Sequence, residues 1–242
     1  MNKKDKSPRI PQRDKIKSQL EIKPLEWTPK QKEFIELASN KDSKIMFISG
    51  PAGSSKTILA TYVALELLNK KGHSDILYIR SAVESADNKL GYLPGEVEDK
   101  MHYYGVPFLD KLEELLNRAS INNLINEKRV EIMPVNFVRG LSWNAKIIIV
   151  DEAQNLSQKE LITVLTRIGK YSKCFVLADP EQSDINGKGG AFQAMQNLFN
   201  DDESKKNGIY SFEFDQEDIM RSELVKFLVN RFRFIAKRPK EH

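Results

Sequence analysis

The chain has 242 residues, 40% of them hydrophobic, enough for one substantial core, and a formal net charge of +4. A single cysteine, Cys174, excludes an internal disulfide and a cysteine-cluster metal site. No apolar run approaches the roughly 20 residues that span a bilayer, and the basic start lacks the apolar stretch of a secretory signal, so a cytoplasmic protein without membrane association is expected.

The charge is unevenly placed. Residues 1–24 carry eight basic side chains against Asp5, Asp14 and Glu21. Residues 1–26 therefore read as a basic, Pro-punctuated arm, loosely attached to a domain over 27–235, with a short basic tail at 236–242. Two uses of the arm stay open: contact with nucleic-acid phosphates, or solubility alone.

Ordered structure is expected from Trp27. Thr28-Pro29 reads as a helix start leading into Lys30–Ser39, with Thr as N-cap and Pro at the first helical position. Five short apolar runs read as buried strands: Lys44–Ile48, Ile76–Arg80, Val130–Met133, Ile147–Val150 and Cys174–Ala178. Ile209–Phe214 is a sixth candidate. Helical patterns lie between most of them, at Thr57–Leu68, Phe108–Ala119, Gln158–Arg167 and Ala191–Phe199, and a last one covers Glu217–Phe234. Strands alternating with helices imply an α/β fold, a mostly parallel sheet with helices on both faces. The segment at about 91–126 reads as a small helical insertion.

Gly50-Pro51-Ala52-Gly53-Ser54-Ser55-Lys56-Thr57 follows the first strand and opens a helix, the layout of a phosphate-binding P-loop (Walker A). Backbone N–H groups and the helix N-terminus would cradle the phosphates. Lys56 would reach the β- and γ-phosphates, and the Thr57 hydroxyl would hold Mg²⁺. Ser55 stands where the motif asks for glycine. A positive φ there would strain a serine; a backbone that suits a β-carbon is the expectation, because Lys56, Thr57 and the acidic pair below are intact.

The strand Ile147–Val150 runs into Asp151-Glu152-Ala153-Gln154. Asp151 would bind Mg²⁺, as a Walker B aspartate does, and Glu152 would act on water as general base. Another buried strand ends in Asp179-Pro180-Glu181-Gln182 on the same sheet edge, where Gln182 would sense the γ-phosphate or orient water. Gln31 offers a donor and an acceptor to the edge of adenine. Arg221, in Asp218-Ile219-Met220-Arg221, is the candidate for charge stabilisation at the transferring phosphoryl group, ahead of Arg231 and Arg233. Taken singly, the last three also fit a plain turn or a solvated helix face.

The combination resembles the PhoH family, single-domain P-loop ATPases related to superfamily 1 helicases. Besides the segments above, the likeness rests on Arg80-Ser81-Ala82-Val83-Glu84, Leu90-Gly91-Tyr92-Leu93-Pro94-Gly95, Phe137-Val138-Arg139-Gly140 and Leu165-Thr166-Arg167-Ile168-Gly169, and it covers roughly 27–235. The resemblance implies a RecA-like core, Mg²⁺-dependent ATP hydrolysis and a link to RNA or single-stranded DNA, with helicase or translocase action in view. It assigns adenine to Gln31, phosphate to Lys56 and Thr57, metal to Thr57 and Asp151, water to Glu152, sensing to Gln182 and an arginine finger to Arg221. Ala178-Asp179 departs from the more usual Gly-Asp. With one core per chain, a finger supplied by a neighbour would make a homo-oligomeric ring, most simply a hexamer. A small-molecule kinase and a non-hydrolysing nucleotide-binding scaffold are the alternatives. Asn88-Lys89 is followed by Leu-Gly, against guanine recognition.

Overall fold

The computed structural model describes residues 16–81, 97–138, 140, 142–182, 190–219, 224, 227, 228 and 231. The first helix, α1 (Pro29–Ser39), starts where its cap residues place it. The Thr28 hydroxyl oxygen accepts from the Gln31 N–H at 3.2 Å, and Gln31 Oε1 accepts from the Thr28 N–H at 3.0 Å. This closed capping box satisfies two end groups, and Pro29 has no N–H to leave unpaired.

The remaining elements are β1 (Ile45–Ser49), α2 (Lys56–Asn69), β2 (Asp75–Arg80), α3 (Val97–Leu115), α4 (Arg118–Asn126), β3 (Val130–Pro134), β4 (Lys146–Asp151), α5 (Gln158–Leu165), β5 (Lys173–Ala178), α6 (Gly190–Leu198), α7 (Asp202–Lys206) and β6 (Ile209–Glu213). All six expected strands form. They make one parallel sheet in the order β3-β2-β4-β5-β1-β6. Parallel strands need crossovers that cover both faces, so apolar residues point both ways. Met46 and Ile48 of β1 join the core beneath α1, α2 and α3, while Phe47 joins the core beneath α5 and α6.

The strand order carries the functional consequence. β5 lies between β1 and β4. The carboxyl ends of the strands before the P-loop, before Asp179 and at Asp151-Glu152 therefore open side by side on one edge. In open α/β sheets ligands bind outside that edge.

Several expectations change. Residues 16–26 are not a loose arm. Ile16 and Leu20 are buried, the Leu20 backbone exchanges two bonds with the Asn69 side-chain amide at 2.8 and 2.9 Å, and the Lys23 N–H donates to Leu115 O at 2.8 Å. Two spaced apolar residues and one paired backbone stretch suffice to dock a basic segment. Positions 1–15 and 232–242 lie outside the described residues. The helical pattern at Phe108–Ala119 is two helices. α3 begins upstream and runs through Pro107; after it, Asn117 caps α4 by accepting from the Ser120 N–H at 2.8 Å. α3 and α4 carry the chain from β2 to β3, and Phe108, Leu112 and Leu115 are fully buried against the sheet. The segment expected as an insertion thus supplies part of the core. α7 is short and polar, without the apolar period that would reveal it. Residues 217–219 form a turn rather than helix; positions 224, 227, 228 and 231 beyond it are helical.

A buried lysine ties α1 to the sheet. Lys173 Nζ donates to Ala38 O at 2.7 Å, to Asn40 O at 2.8 Å and to Ser43 O. A cation at the carbonyl end of a helix is favoured by the helix dipole, and here it fills three acceptors left open where α1 stops.

Candidate nucleotide site

The loop 50–55 joins β1 to α2. Gly50 is required by packing: a Cβ there would lie 2.7 Å from Phe214 Cβ. Gly53 has φ +85°, in the region glycine enters freely. Ser55 has φ 65° and ψ 17°, so it too is left-handed. The expectation that this backbone suits a β-carbon is overturned. The loop keeps the geometry that favours glycine, and the serine bears a strain of order 1–3 kcal/mol. What holds it is its neighbours: the Ser54 hydroxyl donates to Pro51 O at 2.8 Å and α2 propagates directly from Lys56.

Lys56 folds back over the loop, its ammonium donating to Gly50 O at 2.7 Å and Pro51 O at 2.9 Å. Burial pushes its pKa down; Asp179, then Asp151 and Glu152, act to hold it up. The cation thus sits among three carboxylates at the meeting point of three strand ends.

Asp151 ends β4 and is 6% exposed. Its Oδ2 accepts from the Thr57 hydroxyl at 3.2 Å and from the Tyr78 hydroxyl at 2.7 Å; its Oδ1 accepts from the Glu152 N–H at 3.0 Å. Tyr78 is fully buried on β2, and its ring stacks on Phe108 with centroids 4.8 Å apart. Burial first, then the charge of Asp151, hold its pKa well above the ordinary value, so it remains a donor. Thr57 and Asp151 present oxygens suited to a hard divalent cation. Among the described residues, no group of three His, Cys, Asp or Glu could hold a metal ion without a ligand's help. Two protein oxygens with phosphate oxygens completing the shell is how Mg²⁺ is usually held.

Glu152 adopts φ 53° and ψ 40°, a second left-handed residue at the site. Burial and the neighbouring Asp151 raise its pKa, against Gln154, Arg80 and Lys56. Its Oε2 accepts from Gln154 Nε2, and its Oε1 lies 3.9 Å from an Arg80 guanidinium nitrogen. Gln154 is buried, and its Oε1 accepts from the Asp179 N–H at 3.0 Å. Gln182 is exposed at the rim, its N–H closing the turn onto Asp179 O at 3.0 Å.

These groups line a cleft of about 630 Å³, a volume in the range of small-molecule sites. Lys56, Thr57, Asp151, Glu152 and Gln182 share it with Ala52, Gly53, Ser55 and Gln31. Gly50 and Pro51 instead border a separate groove beside β6, and Ser54 is buried beneath the loop. Trp27 and Leu25 also line the cleft. Gln31 is 1% exposed; its acceptor is spent on the capping box, and its Nε2 has no hydrogen-bond partner. Of the donor–acceptor pair expected of Gln31, the oxygen is thus engaged in the helix cap and the nitrogen is without a partner. Arg221, Arg139 and Arg233 lie outside the described residues. Arg231 is described, with its guanidinium 5.1 Å from the centroid of Phe227.

Sequence reasoning overlooked Tyr78 and did not assign Gln154. A single polar-tipped residue inside Ile76-Leu77-Tyr78-Ile79 was the available signal for the first, and the Gln two residues after Glu152 for the second.

The family profile described as PhoH-like protein matches residues 21–233. A PhoH-like protein from Synechocystis sp. is 32% identical over 206 residues, covering 85% of this chain and 61% of the relative. One from Bacillus subtilis is 34% identical over 205 residues, covering 84% and 61%. The chain thus spans under two thirds of these relatives' length. A solved structure of the large terminase from a thermophilic bacteriophage superposes with TM-score 0.55 at 12% identity, over 86% of this chain and 50% of that one, a likeness of α/β fold. With Lys56, Thr57, Asp151 and Glu152 gathered in one cleft, and with a profile match over most of its length, the chain belongs to the PhoH family.

Proposed function

We propose that the protein hydrolyses ATP with Mg²⁺. The observation that carries this reading is the meeting of Lys56, Thr57, Asp151 and Glu152 in one cleft at the carboxyl edge of β1, β4 and β5. Loop N–H groups and Lys56 bind the phosphates, the lysine exchanging its contacts with Gly50 O and Pro51 O for phosphate oxygens. Thr57 and Asp151 would hold Mg²⁺, which would supply charge neutralisation at the phosphates. Glu152 takes a proton from the water that attacks the γ-phosphorus, releasing ADP and phosphate. The unpartnered Gln31 Nε2, on a residue that lines the same cleft, donates to a ring nitrogen of adenine. A buried donor without a partner costs about 1–3 kcal/mol, which a base acceptor would relieve.

Turnover is coupled to RNA or single-stranded DNA, and the catalytic unit is a ring, most simply a hexamer, in which Arg221 completes a neighbour's site. One core bearing one set of nucleotide motifs supports this, since a neighbouring subunit could then supply the finger. The test is ATPase rate with and without RNA and single-stranded DNA, with mass determined by light scattering in ATP and Mg²⁺. Polymer-stimulated turnover by an oligomer supports the reading. Nucleotide binding without turnover would favour a scaffold, and phosphorylation of a small acceptor would favour a kinase.

A further inference from the structure

We propose that Gln154 is a positioning residue for Glu152, fastening the end of β4 to the end of β5. Its amide bridges two points that no covalent link joins. Oε1 accepts from the Asp179 N–H at 3.0 Å, and Nε2 donates to Glu152 Oε2. The orientation of the amide is fixed by its partners: a backbone N–H can only face the oxygen, which leaves the nitrogen toward the carboxylate. Gln154 is 2% exposed, so both bonds are made away from competing water.

Glu152 needs such a support. Its backbone is left-handed, a conformation that persists only where the surroundings over-determine it. Its other neighbour, Arg80, stands at 3.9 Å, beyond hydrogen-bond length. With Oε2 held by Gln154, Oε1 is the oxygen left to take a proton from water. The same bridge sets the position of Asp179, from which the turn to Gln182 departs, so base and sensor are placed by one side chain.

This inference rests on the reading of Glu152 as general base, and its test separates the two. Gln154→Met keeps the volume and loses both bonds; Gln154→Glu keeps the acceptor and sets a carboxylate against Glu152. Each is compared with the parent for kcat, KM and affinity for a fluorescent non-hydrolysable ATP analogue, and again in a Glu152→Gln background by single-turnover assay. A misplaced catalytic group costs up to about 100-fold in rate. The expected result is a kcat loss of about 10- to 100-fold for both variants, analogue affinity within about twofold, and less than a twofold further loss when Glu152 is already Gln. Non-additivity of that kind marks residues acting as a unit. Parent-like kcat, an affinity loss equal to the rate loss, or losses that multiply in the double variant would each overturn the inference. Parent-like turnover by Glu152→Gln alone would instead overturn the general-base reading.

Discussion

The Tyr78 hydroxyl donates to Asp151 Oδ2 across 2.7 Å from a fully buried ring stacked on Phe108. The carboxylate proposed to face Mg²⁺ thus accepts from a side chain of the neighbouring strand, the kind of support that orients a ligand before the metal arrives. Tyr78→Phe keeps the stack and removes only the hydroxyl. Loss of such support typically costs 10- to 100-fold in metal affinity. We expect Mn²⁺ affinity, titrated calorimetrically with a non-hydrolysable ATP analogue present, to weaken by about tenfold or more. Unchanged affinity in a stably folded variant would mean that Thr57 and the Glu152 N–H suffice to orient Asp151.

Lys56 and Glu152 are separable by binding and turnover. Lys56→Ala removes the cation proposed to reach the phosphates and should abolish detectable nucleotide binding. Glu152→Gln keeps the shape and the Gln154 contact but cannot accept a proton. It should bind ATP like the parent and lose turnover by about 10²–10⁴-fold, the usual worth of a general base. Parent-like hydrolysis by both would refute the site assignment.

Ser55 is strained at φ 65°, so Ser55→Gly should be neutral or stabilising. Relief of the left-handed strain outweighs the extra entropy glycine loses on folding, about 0.5–1 kcal/mol. Thermal unfolding without nucleotide checks this, and a fall in stability beyond about 1 kcal/mol would show that the serine makes a contact worth more than its strain.

Acid should weaken the fold through His73. Its Nδ1 is buried without a partner, and burial together with the Lys173 ammonium lowers its pKa from 6.5 to about 4. The unfolded chain therefore binds a proton more readily between those values. The contribution is fully present above pH 6.5, declines as pH falls, and is gone below about 4. Its full size is on the order of 3 kcal/mol. Urea midpoints from about pH 7 to pH 4 should fall less steeply for His73→Gln than for the parent. Parallel curves would place the acid sensitivity elsewhere.

Strand positions were legible from apolar runs because a parallel sheet buries both faces, and a short β-branched run such as Ile147–Val150, fully buried here, suits that environment. The N-cap of α1 was equally legible, since Thr followed by Pro marks a helix start, whereas the part Gln31 plays in closing the capping box was not read. Where the reading went astray, the deciding contact was distant or the local pattern silent. Ile16 and Leu20 look unremarkable in a basic segment until Asn69 and Leu115 take up its backbone. The break between α3 and α4 turns on one asparagine.

The amino-acid order by itself determined the P-loop, the Asp151-Glu152 strand end and the α/β alternation, because each depends on residues close in the chain. Only the tertiary structure decided that Ser55 bears a positive φ, that the Gln31 amide nitrogen is buried without a partner, and that Tyr78 and Gln154 hydrogen-bond to Asp151 and Glu152. Those facts depend on side chains from different strands meeting in one buried volume. The direction of a hydrogen bond there is set by the three-dimensional position of its partner, which local pattern does not encode.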